Sequence, residues 1–213
     1  MPNGIVVYGG KELTTFENAD IEWSARMLYG EAGGDCDVDR EGLAVMWTMI
    51  NRFAMLYPRF RSFTAMIRGY SQPINPDWMN GGKRDPNPKV KDERELRREA
   101  IILMGINKFP EGLLGLVKSL LRPSPSTVVA PPDDMVGLVH FYSPCFYYAK
   151  KLKKRQRNLT SQEVGFACRT HFGSSAERLV WKQPNGVNPQ GNAFYAVKAT
   201  SSWKADKVMV ISG

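Results

Sequence analysis

Glu31, in the run Ala25-Arg26-Met27-Leu28-Tyr29-Gly30-Glu31-Ala32, is the residue of this sequence best placed to do chemistry. A carboxyl group serves as a general acid near neutral pH only when its pKa is raised, and an apolar wall is the usual means. Ile21, Ala25, Leu28 and Ala32 recur at helical spacing. Glu31 then lies about 80° from the centre of that stripe, at its edge and beside Met27. A helix C-terminus adds negative partial charge, which also disfavours ionisation. Other chemistry is poorly supplied. The two histidines, His140 and His171, are too few for a zinc amidase, and the spacing of Cys36, Cys145 and Cys168 fits neither a disulfide framework nor paired zinc ligands. Cys36 with one of the histidines is the single cysteine-peptidase pairing to keep open. No metal and no cofactor is expected.

The elements that must hold Glu31 are read from the same periodicities. A helix from Asn18 to Gly33, capped by Asn18 or Asp20, carries it in the last turn. A second helix from Asp39 to Phe53, capped by Asp37 or Asp39, buries Leu43, Met46, Trp47, Ile50 and Phe53. A short helix from Ser62 to Arg68 leads into Tyr70-Ser71-Gln72-Pro73-Ile74-Asn75-Pro76, expected to run extended because a residue preceding proline avoids the helical region. Gly81 to Pro88 is turn material. Helices are expected from Lys91 to Asn107 and from Pro110 to about Leu121. Arg122 to Asp134, rich in proline, is the candidate linker or long surface loop. Beyond it, Val136 to Tyr142 reads as a strand, and Thr160 with Glu163 as a capping box opening a helix towards Phe172. Strands are expected over Arg178 to Trp181, Ala193 to Val197 and Val208 to Ile211. The fold class is therefore α+β, mainly helical with a small antiparallel sheet, in one catalytic domain spanning residues 1–213.

Tyr29-Gly30-Glu31-Ala32, followed by a helix reading Glu41-Gly42-Leu43-Ala44-Val45-Met46-Trp47-Thr48-Met49-Ile50-Asn51-Arg52, resembles a known family. It is similar to the cell wall hydrolases related to spore cortex-lytic enzymes of the SleB and CwlJ type, with their YGEA-like motif and closing NR pair. Phe63 to Ile74, with Gln72, resembles the family's glutamine-bearing stretch. His140-Phe141-Tyr142-Ser143-Pro144 resembles its aromatic-Asn-Pro segment, with Ser143 replacing the Asn. Gly191-Asn192-Ala193-Phe194-Tyr195 resembles its GNHxFY-like strand, with Ala193 where the family has His. Residues from Gly81 to Met135 carry no such likeness.

The resemblance implies a lysozyme-like, lytic transglycosylase-like core and cleavage of the MurNAc-GlcNAc bond of peptidoglycan. One carboxylic acid would protonate the glycosidic oxygen and then, as a carboxylate, take the proton of the C6 hydroxyl, closing a 1,6-anhydro ring. Muramidase-type hydrolysis would need a second carboxylate, for which Asp35, Asp37 and Asp39 are the nearby candidates. Aromatic faces and amides would line a sugar groove. Tyr29, Gln72, Tyr142, Asn192 and Tyr195 are the candidates, and Trp78 shares the logic without an anchor.

Composition sets the partners. With 43% apolar residues in 213, the chain can build a sizeable core, and a net charge of +8 favours polyanions. The basic run Lys150 to Arg157 would serve a nucleic-acid or wall-binding protein, the non-enzymatic alternative. On the glycan-cleaving reading the same charge draws the enzyme to the anionic bacterial envelope and to peptidoglycan strands, with no specific nucleic acid and as a monomer. Neither a secretory signal nor a transmembrane segment is visible. Synthesis in a host cytoplasm, then action on the wall after release or as part of a phage particle, is the expected route.

Overall fold

The structure, a computed structural model, describes residues 2–32, 40–75, 93–142, 160–188, 191–198 and 207–213. The expected caps at Asp37 and Asp39, the 81–88 turn and the basic run 150–157 lie outside them.

Helix α1, Asn18–Ala32, forms where the apolar stripe predicts it, with Ile21, Ala25, Met27 and Leu28 buried. Both expected caps, Asn18 and Asp20, lie inside the helix rather than before it. Asp20, in the first turn, accepts the backbone N–H of Glu17 at 2.8 Å and, through its other oxygen, Thr64 N–H at 2.8 Å and Thr64 Oγ1 at 2.6 Å. One buried carboxylate thus closes the helix start and ties α1 to the third helix. Helix α2, Arg40–Leu56, runs three residues beyond its expected end. It buries residues on nearly every side, Ala44 to Asn51 without interruption, as a helix at the centre of a core must.

Helix α3, Phe63–Tyr70, is capped by Ser62 Oγ, which accepts Ala65 N–H at 3.1 Å. It outruns its expected end at Arg68, and the stretch expected to be extended instead makes a 3-10 turn over Gln72–Ile74. Proline at the second position of such a turn lacks only a donor that the turn leaves unused. Helices α4, Glu93–Leu103, and α5, Glu111–Leu121, follow. Helix α6, Ser161–Phe172, opens with both bonds of the Thr160–Glu163 capping box. Among the described residues no helix is long and apolar enough to cross a membrane.

Two small antiparallel sheets, rather than one, accompany the helices. In the first, β1 (Gly4–Tyr8) and β2 (Lys11–Thr15) form a hairpin about Gly9 and Gly10, both at positive φ as a tight turn between twisted strands requires. The last strand, β7 (Met209–Ser212), pairs with β1, and the two-residue β3 (Val128–Val129) completes the order β2-β1-β7-β3. The second sheet has the order β4-β6-β5, from Leu138–Tyr142, Ala193–Val197 and Leu179–Trp181. The architecture is α+β.

The proline-rich segment is not a free linker. Pro123 and Pro131 are buried, β3 pairs with β7, and Arg122 donates to Asn3 Oδ1 at 2.8 Å and Asn18 Oδ1 at 2.7 Å. The main core draws on residues from Val6 to Val210, so both ends of the chain share it.

Candidate functional site

Glu31 occupies the final turn of α1, half-buried, where the 3-10 turn and α3 close over it. Gly30 is what lets them approach. A β-carbon there would stand 2.5 Å from Pro73 Cβ, so only a glycine admits the turn against this face of α1. Ser71 leaves α3 in an extended conformation, is fully buried, and donates its hydroxyl to Glu31 Oε1 at 2.7 Å.

Burial pushes the Glu31 carboxyl up to about 7, against the opposing pull of the Ser71 hydrogen bond. Desolvation wins because one neutral hydroxyl offsets only part of the cost of an anion taken from water. Near neutral pH the group is therefore divided between acid and carboxylate, so it can give or take a proton there.

Tyr70 stands beside it. Its electrostatic interactions reach both Glu31 and Arg52, and burial, with the nearby Glu31 charge, keeps the phenol protonated, with a pKa pushed up to about 12. Its Oη lies 2.9 Å from His140 Nδ1 and accepts the backbone N–H of Phe141. The guanidinium of Arg52 lies over the Tyr70 ring, 4.3 Å from its centroid. Arg52 Nη1 is 2.9 Å from Nε2 and 3.3 Å from Nδ1 of His140. A donor aligned with one imidazole lone pair is far from the other nitrogen, so these near-equal distances put the guanidinium over the ring face. Arg52 is thus held between two rings, donating to Val139 O at 3.2 Å.

A bulge in β4 aims these groups. Leu138 pairs with Ala196 and His140 with Tyr195, so two steps on β4 match one on β6. The extra residue keeps Leu138 and Phe141 in the main core while Val139 joins the second cluster, and it sets His140 against Tyr70. The Asn51-Arg52 pair fastens the approach to β4 from α2, Asn51 Nδ2 donating to Met135 O at 3.1 Å.

The structure gathers few of the sequence-predicted groove residues around Glu31. Tyr29, two residues away, points about 200° around α1. Its ring packs edge-on against Phe109, with centroids 5.5 Å apart. Tyr195 is 1% exposed in the second core cluster, with Phe172 edge-on at 5.3 Å, so no ring face is open to a sugar. Tyr142 is half-buried on the edge of that cluster. Asn192 is buried and donates to Glu41 Oε1 at 2.8 Å, fixing the start of α2 rather than facing a groove. The backbone of Gln72 lies in the 3-10 turn, but its side chain is outside the described residues, as are Asp35, Cys36, Asp37, Asp39, Trp78, Ser143, Cys145 and the side chains of Cys168 and His171. Ser71 and Tyr70 meet Glu31 instead, and Arg52 and His140 pack against Tyr70. Tyr70 and Ser71 sit directly before Gln72, and Arg52 closes the NR pair, so all three lie within or beside the blocks that carry the family resemblance.

No family model, no curated protein and no solved structure matches this chain.

Proposed function

We propose that the protein cleaves the glycan strand of peptidoglycan as a lytic transglycosylase, with Glu31 as acid and then base. The protonated carboxyl gives its proton to the glycosidic oxygen as the bond to C1 breaks. The resulting carboxylate takes the proton of the C6 hydroxyl as that oxygen bonds to C1, which closes the 1,6-anhydro ring and restores the acid. No water enters and no second carboxylate is required. The observation that carries the reading is a carboxyl raised to about 7 by desolvation, in the segment that resembles the wall hydrolases. The α+β architecture, rich in helices, is compatible with the lysozyme-like core that the resemblance implies.

A wall-clearing assay tests the reading with Glu31→Gln, which retains size and loses the titrating group. Loss of clearing with an unchanged circular dichroism spectrum is expected; clearing at the wild-type rate would sink the proposal.

A further inference from the structure

Arg52 brings a positive charge into a half-buried position. No acidic side chain among the described residues pairs with it. Its charged neighbour is another cation, Arg59, one face of the guanidinium meets Tyr70, and its Nε is buried without a partner. One carbonyl and two ring faces are weak compensation for a partly desolvated cation. The described neighbours do not supply a negative charge. Tyr70 stays protonated, and the described elements packed here contribute Arg59 from the turn after α2, Tyr70 from α3, and His140 with the Val139 carbonyl from β4. Nη2 donates to no described acceptor and is not among the sealed atoms.

We propose that Arg52, with Arg59 adding to the local field, is an oxyanion subsite linked to Glu31 through Tyr70, and that the oxyanion is a carboxylate of the peptide stem on the glycan. Tyr70 joins the two places, since it lies on the Arg52 guanidinium and interacts with Glu31. The choice of a stem carboxylate rests on the glycan-cleaving reading, because the stem is the anionic group that peptidoglycan carries next to each scissile bond. The oxyanion site itself rests on the unpaired cation.

Two measurements on the full chain test this separately. The first follows the Arg52 side-chain N–H resonances during addition of acetate, inorganic phosphate or neutral acetamide at constant ionic strength. Shifts with acetate that acetamide does not reproduce support the site; no shift with either anion overturns it, whatever the enzyme cleaves. Shifts with phosphate alone overturn the carboxylate assignment. The second compares cleavage of stem-bearing glycan with glycan stripped of its peptides. Arg52→Met, checked for folding by thermal melting, is expected to lower kcat/KM on the stem-bearing strand by about tenfold or more, the worth of one charge-assisted hydrogen bond, and to change the stripped strand little. Arg52→Lys is expected to recover part of the loss. Equal losses on both strands would mean a structural role and overturn the subsite. Absence of cleavage of either strand by the wild-type protein counts against the glycan reading and the stem assignment, and the resonance titration still decides the oxyanion site.

Discussion

Gly30 and Pro73 are in contact across α1 and the 3-10 turn, and a β-carbon on Gly30 would lie 2.5 Å from Pro73 Cβ. The nearest atom belongs to a proline ring fixed to the backbone, so the turn itself would have to move, and it begins one residue after the serine that holds Glu31. Alanine normally stabilises a helix by about 1 kcal/mol over glycine. Overpacking here costs about 1–3 kcal/mol, so Gly30→Ala is expected to destabilise on balance. Urea unfolding measures the sign, and a more stable variant would show that the contact yields.

Ser71→Ala removes the described hydrogen bond that favours the ionised form of Glu31. The carboxyl pKa should then rise further above 7, by about one unit for a bond to a charged group. If Glu31 acts as an acid, activity falls as pH rises through its pKa, and in this variant that fall moves to higher pH. Carboxyl-carbon NMR titration gives the pKa directly, and an unmoved midpoint would mean the bond does not reach the anion.

Glu31 also makes stability depend on pH. Its folded pKa of about 7 exceeds the ordinary 4.5, so the folded state binds this proton more tightly, and the associated stability is lost as pH rises from about 4.5 to about 7. Glu31→Gln, which cannot ionise, is expected to be more stable than the wild type at pH 8, by at most about 3 kcal/mol. At pH 4 the two should be nearly equal. Chemical unfolding at the two pH values checks the difference, and a gap independent of pH would contradict the raised carboxyl.

Asn192→Ala separates support from substrate contact. It leaves Glu41 Oε1 without a donor that reaches it from across the fold, at a cost of about 1–3 kcal/mol. The melting temperature should fall while KM for the glycan stays constant. A raised KM with unchanged stability would place Asn192 in the groove instead.

The helical part of the fold could be read from local patterns because each helix carries its own periodicity and, at Thr160 and Glu163, its own cap. Of the first sheet, only β7 could, from the expected strand over Val208 to Ile211. Gly4–Tyr8 is short, Lys11–Thr15 is largely exposed, and β1 finds its second partner at Met209–Ser212, almost the whole chain away. Val128–Val129 is a strand only because β7 lies beside it. At the site, helical spacing correctly put Glu31 at the edge of an apolar stripe, but which side chains meet it depends on where the next helices come to rest. Tyr29 was adjacent in sequence and points the other way, whereas Tyr70 and Ser71 reach Glu31 because Gly30 admits the turn that follows them. Alternation marked Tyr195 as a strand residue without saying that α6 covers its face, which places it in a core.

The central claim is that Glu31 cleaves the glycan strand, and mass spectrometry of peptidoglycan digested in parallel with the wild type and Glu31→Gln tests it most directly. The wild type is expected to release muropeptides ending in 1,6-anhydro sugar, and the variant none. Reducing ends alone would contradict the transglycosylase step. Intact strands with freed peptides, or the same products from the variant, would contradict the assignment of cleavage to Glu31.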